Sequence, residues 1–121
     1  MKITAQQFRM LGRACFFGRL VHELRMAYPR FTVDVETARL VRALEVHVPA
    51  ARSYGMHDEY SLAAYLHAAW LFGNNFDIRI PIIAQILSDP DLAARDKARA
   101  LGDFSVVALR VIERNGGEVM A

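Results

Sequence analysis

The stretch from Leu62 to Phe72, LAAYLHAAWLF, contains no acid and no base other than His67, and it closes on Gly73. At 100° per residue its large apolar side chains point in almost every direction, so a helix with this sequence must be enclosed by other elements. The next twenty residues supply an enclosing layer. An Asn-Asn-Phe-Asp turn leads to Pro81, which suits the first turn of a helix, and Ile80, Ile83, Ile86 and Leu87 form a short apolar face before the Ser88-Asp89-Pro90-Asp91 stop. Asp77 is placed to cap that fourth helix. No strand-like alternation is present anywhere in the chain, and the reading is all-α.

Punctuation elsewhere gives about five helices in a compact bundle, with the third, at about 58–72, at its centre. Thr4 and Gln7 have the spacing of a capping box, and the first helix runs from there to about Ala27, ahead of Pro29. It is apolar on two sides: Phe8, Leu11 and Cys15 on one, Phe17, Leu20, Val21, Leu24 and Tyr28 on the other. Such a helix lies between layers or leaves one side for a partner. Asp34 is expected to cap the second helix, whose stripe Leu40, Val41, Leu44 and Val48 faces inward until Pro49 breaks it; a last turn then ends at Gly55. The third helix begins near Asp58. The fifth runs from about Ala93 to Asn115, with Leu101, Phe104, Ala108, Val111 and Ile112 inward, and Gly116-Gly117 ends it; the last residues are expected to fray.

At 121 residues and 54% hydrophobic, the chain suits one domain, 1–121, able to fold without metal or disulfide support. Its single cysteine, Cys15, excludes an internal disulfide and reads as a buried structural thiol in a reducing compartment. Met1-Lys2-Ile3-Thr4 does not open a secretory signal, and no apolar run approaches the roughly 20 residues that span a bilayer. The expectation is a cytoplasmic protein that does not act at a membrane.

Charge is unevenly distributed. The net charge of +2 conceals six bases (Lys2, Arg9, Arg13, Arg19, Arg25, Arg30) against Glu23 in residues 1–30, which is +5, leaving −3 for the rest. A positive segment of this kind is a solvated surface or a docking site for an acidic partner. The bias is weaker than that of nucleic-acid modules and comes without a helix-turn-helix, zinc or aromatic RNA-binding motif.

The residues that carry chemistry are scattered. His22, His47, His57 and His67 form no i, i+4 pair with each other or with cysteine, so no metal or cofactor site is expected. His57-Asp58-Glu59 is explained by helix capping and first-turn electrostatics. Ser53, Ser61, Ser88 and Ser105 lack a nucleophile elbow, Asp89 and Asp91 belong to a turn, and Gly116-Gly117 is not a phosphate loop. The reading is non-enzymatic, with contact to another protein expected through Arg9, Arg13, Arg19 and Arg25 and with Tyr28 and Phe31 as aromatic anchors. The spare side of the first helix would serve a homodimer as readily as a different partner.

The string Tyr54-Gly55-Met56, the helix ending Trp70-Leu71-Phe72-Gly73, the Asn75-Phe76-Asp77 turn, Pro81 with Ile86-Leu87-Ser88-Asp89-Pro90, and Lys97 ahead of Leu101 resemble a group of small helical accessory proteins. Those are encoded beside effector and spike genes in bacterial type VI secretion and polymorphic-toxin loci. The opening Met1 to Phe8 is similar to theirs, and most of the chain follows their pattern; a further acid would be expected around Asn74. The resemblance implies an adaptor or chaperone for a secreted antibacterial effector or a spike component. An immunity protein against a cognate toxin is the alternative, although a pI near 9 departs from the usual acidic character of such proteins. A basic nucleic-acid-binding regulator is the third reading.

Overall fold

The computed structural model describes residues 4–114 of the chain, and the described residues form helices and connecting turns without strands. By internal packing the chain divides into two compact units, Met1–Val46 and His47–Ala121. The expected end of the last helix at Gly116-Gly117 and the fraying beyond it lie outside the described residues. The all-α reading holds, with eight helical segments among the described residues where about five helices were expected.

In the first unit α1 (Ala5–Ala27) opens with the predicted capping box: the Thr4 hydroxyl accepts from Gln7 N–H at 3.1 Å, and the Gln7 amide oxygen accepts from Thr4 N–H at 3.0 Å. Tyr28, unable to stay helical ahead of Pro29, ends α1 and starts α2 (Pro29–Thr32). After a turn comes α3 (Thr37–Glu45). It packs on α1, and both helices bury leucines: Leu20 and Leu24 from α1, Leu40 and Leu44 from α3.

Asp34 does not cap α3; Glu36 stands at that position, and its side chain makes no capping bond. The reason is Arg25. Its guanidinium donates to the carbonyls of Thr32 (2.8 Å) and Val35 (2.7 Å) and to Thr37 Oγ1 (3.2 Å), which holds the chain in a turn past Asp34 and delays the helix.

In the second unit α4 (Val48–Ser53) takes Pro49 into its first turn, so the proline-associated break falls just upstream, at Val46 and His47. Gly55, at φ +83°, turns the chain toward α5 (Glu59–Phe72), the expected third helix. Asp58 caps α5, accepting from Ser61 N–H at 3.1 Å, and Gly73 closes it in a left-handed conformation (φ +85°) that favours glycine. Leu62, Tyr65, Leu66, Ala68 and Ala69 are buried, and α5 packs on α4, α6 (Phe76–Arg79) and most extensively α8 (Ala94–Arg114). Ile80, extended ahead of Pro81, separates α6 from α7 (Pro81–Ser88).

Asp77 does not cap the fourth predicted helix. Asn75, left-handed at φ 62°, precedes α6, and Asp77 lies inside that short helix, where it accepts from the Tyr54 hydroxyl instead. Phe76 is fully buried and joins Ile83, Leu87 and Leu101 in the core, whereas Val111, expected inward, is exposed.

The Asp58 carboxyl is held below the usual carboxylate range by its hydrogen bonding to Ser61, whose backbone N–H donates to it at 3.1 Å. A carboxyl whose folded pKa is depressed stabilises fully above its unfolded value and loses that contribution as pH falls through the folded one. Asp58→Ala should therefore cost about 1 kcal/mol at neutral pH in urea unfolding, with the deficit shrinking as the solution is acidified through that folded value.

Candidate functional site

Among the described residues, the N-terminal half of α1 is exposed. Every residue from Thr4 to Cys15 is exposed, including Phe8 (73%) and Leu11 (52%). Of the two apolar sides read from the sequence, that of Phe17, Leu20, Val21 and Leu24 is buried and that of Phe8, Leu11 and Cys15 faces outward. Cys15 is accordingly an exposed free thiol and not the buried one expected: periodicity places it on an apolar side but does not say which side is covered. Exposed His22 and Met26 continue the spacing, so positions 8, 11, 15, 22 and 26 make one outward stripe. A Cβ added at Gly12 or Gly18 would meet nothing within 4 Å.

The six residues expected to contact a partner have different surroundings. Arg9, Arg13 and Arg19 are exposed on α1. Arg13 makes an exposed pair with Glu45 of α3 at 2.7 Å and lies over the Phe17 ring of its own helix, 5.6 Å from the centroid. Arg25 is half-buried and engaged with the turn after α2. Tyr28 is only 8% exposed, and burial raises its phenol pKa; it is a core residue of its unit and not the surface anchor expected. Phe31 is half-buried. The exposed aromatic of this region is Phe8, which the helical period places on one side with Leu11 and Cys15.

The second unit contains a polar cluster that sequence reasoning did not assemble. The Tyr54 hydroxyl donates to Asp77 Oδ2 at 2.7 Å, and Lys97 Nζ donates to the Tyr54 carbonyl at 3.1 Å. Burial, the hydrogen bond to Asp77 and its charge push the Tyr54 phenol up to about 12. Tyr65, its ring 6.1 Å from that of Tyr54 and 4.9 Å from that of Phe76, is raised too, by burial and then by the Asp77 charge. His47 is lowered by burial, partly offset by Asp77. Both phenols thus stay protonated and His47 neutral at physiological pH, and the cluster ties α4 to α6 and α8. Its partners are 23 and 43 residues apart, beyond any local pattern, although Tyr54, Asp77 and Lys97 all belong to the motifs that carried the family resemblance.

Among the described residues no three His, Cys, Asp or Glu side chains are grouped to hold a metal ion, and no helix is long and apolar enough to cross a membrane. Comparison of the chain with protein families, curated proteins and solved structures returns no match.

Tyr54→Phe should lower stability by about 1–2 kcal/mol, because it leaves the Asp77 carboxylate without its phenol donor. A phenol pKa raised on folding gives a contribution that is full below about pH 10 and lost as pH climbs toward the folded value. Urea unfolding between neutral and strongly alkaline pH should show that loss in the native chain and a smaller loss in Tyr54→Phe, where the raised Tyr65 and Tyr28 phenols still contribute. Lys97→Met, which keeps an aliphatic stem, should be destabilised at all these pH values.

Proposed function

We propose that this chain is a non-enzymatic protein-binding module, an accessory factor of the adaptor or chaperone type for a secreted antibacterial effector of a type VI secretion system. The observation that carries the binding role is the N-terminal half of α1, where Phe8, Met10, Leu11 and Cys15 are all exposed although the same helix is buried further along at Phe16, Phe17, Leu20, Val21 and Leu24. Large apolar side chains left exposed together on a helix that is packed only further along mark a surface completed by another molecule. The effector context comes from the resemblance of the Tyr54-to-Leu101 block to accessory proteins of those loci. In the same block, the Tyr54–Asp77–Lys97 ties give the most distinctive polar residues structural work, which fits a domain that acts through its surface.

Co-expression with the effector encoded beside its gene tests this reading. A tagged copy of the chain should retain the effector through purification and raise its soluble yield. An effector equally soluble alone and not retained would reject the reading, and rescue of intoxicated cells with no gain in effector solubility would favour an immunity role.

A further inference from the structure

We infer that the outward stripe of α1 is a docking site for an acidic amphipathic helix of the partner protein; this rests on the protein-binding reading above and names the class of ligand. Three features of α1 point to a helix. The residues Phe8, Leu11, Cys15, His22 and Met26 follow helical spacing along one side of a segment about 35 Å long, enough for several turns of a second helix. Phe8 and Leu11 supply the large apolar area. Gly12 and Gly18, each with open space where a Cβ would stand, are small enough to let another backbone approach closely.

Charge selects the occupant. From Ala5 to His22 the helix has no acid, and over its whole length it carries Arg9, Arg13, Arg19 and Arg25 against Glu23. Arg13 is shared with Glu45 and Arg25 with backbone carbonyls, yet neither arrangement brings a second acid onto α1 itself. A second copy docked on the stripe would place two such positive helices together, which like-charge repulsion opposes, whereas an acidic helix gains at exposed Arg9 and Arg19. Another exposed apolar group, Val106, Val107 and Val111 on α8, sits among Asp103, Arg110 and Arg114 and selects no sign of charge.

The test uses the full chain and a synthetic helical peptide of leucines at i, i+3, i+4 and i+7 flanked by glutamates, read by fluorescence anisotropy against a matched peptide with lysines for the glutamates. The acidic peptide should bind at least about tenfold more tightly than its basic counterpart and weaken at high salt. The double variant Phe8→Asp, Leu11→Asp should reduce its binding by about tenfold or more with an unchanged thermal melt, since both side chains are exposed. Arg9→Glu should reduce it less, and Val106→Asp with Val107→Asp should leave it unaltered. Equal binding of the two peptides overturns the inference, as does indifference to the Phe8 and Leu11 changes. So would tighter binding to anionic phospholipid vesicles or duplex DNA than to the acidic peptide, or a dimer in sedimentation that those two changes dissolve. Retention of the effector by the Phe8, Leu11 variant as by the native chain would remove this site while leaving the accessory role intact.

Discussion

The enclosure of α5 is the constraint on which the second unit depends. A helix with apolar side chains nearly all round gains by withdrawing all of its sides from water, and burying each large side chain contributes roughly 1.5–3 kcal/mol. Here α8 supplies the longest wall and α4 and α6 the others. The alanines Ala68 and Ala69, fully or almost fully buried, keep α5 thin where it is covered. Asp58 at one end and Gly73 at the other set where that enclosed segment starts and stops, so local signals define the length of the core.

The parts of the fold that were legible in the sequence are those with a local cause. The Thr4–Gln7 box, the Asp58 cap, the Gly73 terminus and the proline in the first turn of α7 each act over three or four residues, and each is found where the residues placed it. The caps that differ from expectation involve a distant partner. Asp34 was passed over because Arg25 reaches across from α1, and Asp77 was taken from capping by Tyr54. Lys97, buried at the wall of α8, looks on sequence like any basic residue of an exposed face. Tyr28 and Cys15 show a further limit: the period gives the sides of α1 correctly, but which side is covered depends on packing that a single helix does not encode.

The two units treat their charged residues differently, and the contrast bears on function. In the first, the ion pair of Arg13 with Glu45 is exposed and of the sort that contributes little, and cationic character remains at the surface of α1. In the second, Asp77 and Lys97 are drawn into contact with Tyr54 and committed to internal ties. Exposed positive charge and exposed apolar side chains therefore occur on the same helix in α1, at Arg9 and Arg19 and at Phe8 and Leu11.

The ties within each unit also differ in how much chain they enclose. Arg25 reaches acceptors 7, 10 and 12 residues ahead, whereas the Tyr54 bonds to Asp77 and Lys97 close segments of 23 and 43 residues. Loop-closure entropy rises with the logarithm of length, so the guanidinium clamp forms at small configurational cost while the phenol tie requires the chain to have reached Asp77 and the ammonium tie Lys97. During translation, the clamp's whole donor and acceptor set is present once Thr37 has left the ribosome, roughly sixty residues before the Lys97 ammonium is available to the Tyr54 carbonyl.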